Sequence, residues 1–176
     1  NQKASLNTVF SGTLNNLLLD NIDLITTDNT SVIGRIQFKN LFKNTSEGFE
    51  MIGDFQQIAS TYSDLKALLP RVLGKSLPAD LASLQRFDMR GTAEVSNKTV
   101  NTVMDIQTDI GNLIVNLNLD QIKTMDKASY IGQIQFKDFD LGYLMGEAKI
   151  GLVTSSLSVE GRGFNKESIN SNITGT

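Results

Sequence analysis

The chain contains no cysteine, no histidine and no tryptophan, and only two prolines among 176 residues. Without cysteine it has no disulfide, no zinc–thiolate centre and no thiol nucleophile. Without histidine it lacks the commonest general base and the commonest metal ligand. A Ser-His-Asp triad cannot be assembled, and hydrolysis would require a Ser-Lys pair or two carboxylates held for the purpose. The inventory leans against an enzyme and supplies no obvious set of residues for a cofactor or a metal. It also argues against nucleic acid as a partner. Sixteen Lys and Arg against nineteen Asp and Glu leave a net charge of −3, whereas phosphate contacts need clustered cations. No apolar run reaches the roughly 18 residues of a membrane-spanning helix.

What the chain does have is alternation. An apolar fraction of 40% and a charged fraction of 20% are ordinary for a globular protein, and the length suits one domain with a core. Ser31-Val32-Ile33-Gly34-Arg35-Ile36-Gln37-Phe38-Lys39 returns as Ser129-Tyr130-Ile131-Gly132-Gln133-Ile134-Gln135-Phe136-Lys137, changed only at its second and fifth positions. Each copy alternates apolar and polar residues after a glycine, the period of a strand with one dry and one wet face. Repetition of a strand, rather than of a catalytic loop, points to a protein built from a structural unit. Ile36, Phe38, Ile134 and Phe136 should then share one apolar surface, with Lys39 and Lys137 near its rim.

Further strands follow from the same period. Leu6, Phe10 and Leu14 alternate, with Gly12 on their side. The dry positions change parity between Leu19 and Ile22, so a bulge or bend is expected near Asp20-Asn21. Phe49, Met51, Gly53 and Phe55 share a face over 49–55, as do Phe87, Met89, Gly91, Ala93 and Val95 over 87–95. Residues 99–110 and 112–119 read as a hairpin turning near Asp109-Ile110-Gly111-Asn112. Strands are also expected over 129–141, 148–161 and 167–174.

Residues 57–84 break the pattern. Ser60 or Ser63 would cap a short helix through 64–69, Pro70 would kink or end it, and Pro78 would open a second. Leu65, Leu68, Leu69, Val72 and Leu73 would form an apolar stripe over one end of the sheet. The expected fold is a single mainly β segment spanning 1–176. It is an elongated, strongly curled antiparallel sheet of about nine to eleven strands with that helical insertion. Alternation is already running at Leu6 and still running at Ile173, so the chain reads as a piece of a longer polypeptide with targeting and anchoring segments elsewhere.

Sites of chemistry are scarce. Asp138-Phe139-Asp140 and the Asp20/Asp23 pair are acidic, but neither supplies the glycine and terminal glutamate of a calcium-binding EF-hand loop, so both read as solvated strand ends. Gly161-Arg162-Gly163 is not followed by the Gly-Lys-Ser/Thr of a phosphate loop. Gly12, Gly34, Gly53, Gly91, Gly132 and Gly161 lie on or beside the dry face. There they either permit tight coiling of the sheet or leave space for a ligand. The candidate functional residues are therefore the dry ones: Phe10, Leu14, Ile36, Phe38, Phe49, Met51, Phe87, Met89, Leu113, Leu117, Ile134 and Phe136. Their facing is inferred from alternation, and a slip of one residue would reverse it.

Several phrases carry a resemblance. Phe10-Ser11-Gly12-Thr13-Leu14-Asn15-Asn16-Leu17 followed by Ile22-Asp23-Leu24 resembles the Gly-, Leu- and Asn-punctuated strand units of the AsmA/TamB superfamily. Asp28-Asn29-Thr30-Ser31-Val32-Ile33-Gly34 with Phe38-Lys39-Asn40-Leu41 is similar to its next unit. Tyr62-Ser63-Asp64-Leu65-Lys66-Ala67-Leu68-Leu69-Pro70 with Leu73-Gly74 resembles a segment of the TamB-like translocation and assembly module proteins. The resemblance implies a large envelope protein, anchored in the inner membrane and reaching across the periplasm as a long curled β-sheet with an apolar groove. It implies phospholipid acyl chains as ligand, an outer-membrane assembly protein as partner, and a part in lipid transport or outer-membrane biogenesis. The insertion at 57–84 departs from a plain ladder of strands. Two other readings of the residues stand beside the groove. One is a scaffold whose edge strand pairs with an incoming outer-membrane protein. The other is a β-sandwich surface domain whose dry faces pack together.

Overall fold

A computed structural model describes residues 3–27, 30–42, 48–64, 83–124, 126–163 and 169–176. Alternating segments separated by polar turns become ten strands: β1 (Ala4–Thr13), β2 (Asn16–Thr26), β3 (Ser31–Lys39), β4 (Glu50–Thr61), β5 (Arg86–Ser96), β6 (Thr99–Thr108), β7 (Gly111–Asp120), β8 (Ser129–Asp140), β9 (Leu152–Arg162) and β10 (Asn170–Gly175). Each pairs antiparallel with its neighbour in the chain, and the spatial order is the chain order from β1 to β10. The sheet is mainly β, curled and open, as the alternation predicts, because β1 and β10 do not meet. The sandwich reading is corrected here. It needs two sheets face to face, and the described strands all belong to one.

Three strands carry an extra residue. Between β2 and its neighbours the ladder skips Asn21, which adopts the left-handed conformation with φ 52°. The expected break near Asp20-Asn21 is thus a bulge that returns Ile22 to the face of Leu19. In β4 the register shifts between Phe55 and Ile58, and in β8 between Phe136 and Phe139, where Asp138 has φ 49°. Asp138 is pinned there: its N–H donates to Thr154 Oγ1 at 3.0 Å, and its carboxylate accepts from the same hydroxyl at 3.3 Å.

The bulge in β4 also moves a boundary. The strand runs to Thr61, so the insertion does not begin at 57. Residues 62–64 are helical, and their cap is neither Ser60 nor Ser63 but Thr61, whose Oγ1 accepts from Asp64 N at 3.2 Å and donates to the Asp64 carboxylate at 2.7 Å. The expected stripe at 65–73 and the helix at Pro78 lie outside the described residues. A second difference lies after β8. Asp140 caps a five-residue helix, α1 (Leu141–Met145), by accepting from Tyr143 N at 2.9 Å, and Gly146 ends it with φ 70°. The strand expected from 148 consequently begins at Leu152.

One rim of the sheet is covered. Along the turns β2–β3, β4–β5 and β6–β7 and the β8–α1 junction, Phe139 is fully buried, with Phe87, Leu84 and Ala59 almost so. Gln85 Nε2 donates to the Tyr143 hydroxyl at 3.0 Å, joining the entry of β5 to α1. Thr30 and Ser60 are buried on this rim and satisfy each other, Oγ1 to Oγ, at 2.8 Å. Replacing one partner leaves the other hydroxyl desolvated. Ser60→Ala is expected to cost about 1–3 kcal/mol, and the Thr30→Val/Ser60→Ala double variant less than the sum of the singles, as a double-mutant cycle by urea denaturation will show.

Candidate functional site

In an antiparallel ladder, directly opposed residues lie on one face, so the register assigns faces strand by strand. β7 shows the rule plainly: Leu113, Val115, Leu117 and Leu119 are half-buried, while Asn112, Ile114, Asn116 and Asn118 are exposed. Following the pairs outward from β7 gives rows, mainly of apolar side chains, that cross the sheet.

Ten of the sequence candidates fall on this face. Leu117 opposes Thr102, and the same row continues through Ala93 and Gly53 to Ile36, Leu19 and Phe10. Phe38 opposes Met51. Leu113 opposes Phe136 on one side and Ile106 on the other, which in turn opposes Met89. Ile134 opposes Val115, and Phe87 opposes Thr108 nearer the covered rim. The other two stand apart. Leu14 sits in the β1–β2 turn and is 71% exposed, because the strand ends at Thr13 and the chain must reverse before Asn16. Phe49 precedes β4 and is half-buried, without a ladder partner.

The face also holds residues that the candidate set omits. Phe55, Ile58 and Met104 form a buried cluster with Val32, Ile36, Met89, Ala93 and Ile106 packed against it. Val159 is buried opposite Gly132. Phe55 alternates with Met51 and Val159 with Leu157, so both were readable from the period of two. The tertiary contacts of the described residues run between neighbouring strands, with α1 against β9. Within the cluster these side chains cover one another across neighbouring strands.

The glycines serve that curl. A Cβ at Gly34 would collide with the Asp54 carbonyl, and one at Gly132 with the Asn116 carbonyl. The shared glycine of the doubled phrase thus marks the same close approach of a neighbouring backbone. At Gly53 the vacated space is filled by the Phe55 ring, and at Gly161 by the Tyr130 ring, whose hydroxyl bonds Ser171. Those two are packing notches rather than room for a ligand.

The two copies of the repeated phrase are not related by translation along the sheet. β3 and β8 are five strands apart, so they run in opposite directions. Their apolar residues do share one face. Lys39, however, lies opposite Asn16 at one rim, and Lys137 opposite Asn112 at the other. A unit repeated by translation would need an even strand offset, with an odd number of strands between the copies.

The opposite face carries the ion pairs, with Ile52, Val103, Ile114 and Ile131 exposed among its polar side chains. Arg90 reaches Asp105 through Nε and Nη2 at 3.0 and 2.6 Å, Lys39 meets Glu50 at 2.7 Å, and Arg35 meets Asp20 at 3.8 Å. All are exposed pairs, which contribute little to stability. A cavity of about 1050 Å³ opens at the end of β6–β10, where Asn101, Asn118, Glu160 and Asn172 contribute wet-face side chains. Its wall mixes these side chains with Asp120, Lys127 and Arg162 and with the apolar Leu119, Tyr130 and Ile131. Among the described residues no three His, Cys, Asp or Glu side chains are grouped to hold a metal. No family model, no curated protein and no solved structure matches the chain.

Proposed function

We propose that this chain is a non-enzymatic segment of a periplasmic bridge that shelters phospholipid acyl chains along its apolar face as they pass between inner and outer membranes. The single observation that carries the reading is a mainly apolar face that crosses all ten strands of an open sheet, with the charged side chains on the face behind it. Its chemistry fits an acyl chain. Each buried methylene is worth about 0.8 kcal/mol, so a chain of about 15 carbons gains roughly 10 kcal/mol when fully covered. A closed pocket of that affinity would release lipid slowly. A uniform strip lets the chain slide while exchanging equal contacts, with the headgroup left in water. The likeness of the strand phrases to the AsmA/TamB superfamily supports the same setting: a parent protein anchored in the inner membrane, with an outer-membrane assembly protein as a second partner.

Photocrosslinkers at Phe38 and Phe136 test the reading in cells. Both face the apolar side, one near each rim. The expected result is covalent phospholipid at both positions, extractable with the protein and identified by mass spectrometry. Capture of protein alone, or of nothing, counts against it.

A further inference from the structure

The wet face holds a feature of its own, the cavity of about 1050 Å³ at the end of β6–β10. Its floor is made of two rows of opposed side chains, and opposed residues share a face. One row runs Asn101, Asn118, Ile131, Glu160 and Asn172. The next runs Thr99, Asp120, Ser129, Arg162 and Asn170. The β7–β8 turn borders one end through Gln121, Asp126 and Lys127. Each row crosses the same strands, at about 4.8 Å from one to the next, and so extends about 19 Å.

Elsewhere on this face charged side chains meet each other, Arg90 with Asp105, Lys39 with Glu50 and Arg35 with Asp20. The cavity floor differs. Among the described residues, no hydrogen bond or ion pair engages the side chains of Asn101, Asn118, Glu160, Arg162, Asn170 or Asn172. A primary amide both donates and accepts, a carboxylate only accepts and a guanidinium only donates. Together they suit a ligand rich in hydroxyl groups, each of which does both. Asp120, Asp126 and Glu160 outweigh Lys127 and Arg162 in charge, which disfavours phosphate and other anions. Among the described residues no three acidic side chains are grouped to hold a metal ion. Ile131 stands in the middle of the amide row and is 54% exposed. It offers an apolar step on which the C–H face of a sugar ring can rest, with polar groups on either side to fix its orientation.

We propose that this cavity binds a linear oligosaccharide, laid across β6–β10 with its hydroxyls on the two polar rows and one ring over Ile131. The strand interval of about 4.8 Å is close to the length of one residue in an extended β-1,4-linked glycan. Each sugar therefore meets a new polar rung as the chain crosses the sheet. A free glycan and the sugar head group of a glycolipid present the same chemistry. The site lies on the face opposite the acyl-binding one, and it does not depend on the lipid reading.

Titration of the whole chain with cellotetraose, followed through the side-chain amide signals of asparagine by nuclear magnetic resonance, tests the free-glycan arm. Asn101, Asn118 and Asn172 are expected to shift with a millimolar dissociation constant, while Asn112 and Asn116 stay in place. Asn101→Ala with Asn118→Ala should weaken binding at least about tenfold, with the far-ultraviolet spectrum unchanged. Asn116→Ala, on the same strand and face but outside the cavity, should leave it intact. Cosedimentation with phosphatidylcholine vesicles, with and without diglucosyl diacylglycerol, tests the head-group arm. Sugar-dependent cosedimentation that the double variant loses assigns the site to a glycolipid, and binding of cellotetraose alone assigns it to a free glycan. Binding in neither arm overturns the proposal. So do shifts that reach Asn112 and Asn116 equally, or a double variant that binds as tightly as the unaltered chain.

Discussion

Gly91→Val is expected to destabilise the fold by about 3 kcal/mol or more, enough to blunt or abolish cooperative unfolding in a urea titration. Two costs combine. Gly91 has φ 140°, a conformation that a β-branched residue hardly enters. An added Cβ would also drive into the Val103 carbonyl and lie 3.0 Å from Met104 Cα. Neither obstacle is a flexible side-chain tip, so the neighbouring strand must move. It has little freedom to do so, because Gly91 pairs with Phe55 on one side and Met104 on the other. Those two residues meet in the buried cluster at the centre of the apolar face. Gly151→Ala provides the contrast. A Cβ there meets nothing within 4 Å, and the change should stay within about 0.5 kcal/mol. If Gly91→Val unfolds at the same urea concentration as the unaltered chain, the tight approach of β5 to β6 is not what shapes the sheet.

The second large effect concerns binding. Val115→Glu with Leu117→Glu puts two carboxylates on the apolar face of β7, where their neighbours in the rows are Ile134, Met104, Thr102 and Gly132. An ionised group pressed against hydrocarbon must keep its water or lose it at a cost of several kcal/mol. Either outcome excludes an acyl chain, and phospholipid capture should fall at least about tenfold. Ile114→Glu is the matched control. It lies on the same strand immediately before Val115, but Ile114 is 48% exposed on the wet face. Capture should survive it unchanged. Equal losses from both substitutions would show that the charge acts through general destabilisation rather than through the face.

Much of this face was legible, and the reason is the period of two. In β7, leucines and a valine at the dry positions alternate with three asparagines and Ile114 at the wet ones. The parity change between Leu19 and Ile22 was readable as a bulge because apolar residues flank it closely on both sides. The other two bulges hid for a physical reason. An extra residue converts the spacing i, i+2 into i, i+3, which is also the spacing of a helix. Phe55 to Ile58 therefore looked like the end of a strand and the start of the insertion, and β4 was cut short of Thr61. Leu14 was placed on the face because the alternation of β1 continues formally into the turn, and alternation alone does not mark where a chain reverses. The opposed directions of the two similar strands were out of reach without counting the strands between them. The α1 helix depends on one side-chain cap, Asp140, and on Gly146, a signal too short to outweigh a preceding twelve-residue strand.

The most direct test of an acyl-binding face is methyl relaxation by nuclear magnetic resonance, with a phosphatidylcholine carrying a nitroxide on its acyl chain. The residues of β7 supply their own control, since methyl groups occur on both sides of one strand. The predicted result is broadening of the Leu113, Val115 and Leu117 methyls with those of Ile134, while Ile114 and Ile131 on the wet face keep their intensities. Broadening confined to Ile114 and Ile131, broadening of both faces alike, or none at lipid concentrations that saturate crosslinking would contradict the proposal that this sheet carries lipid.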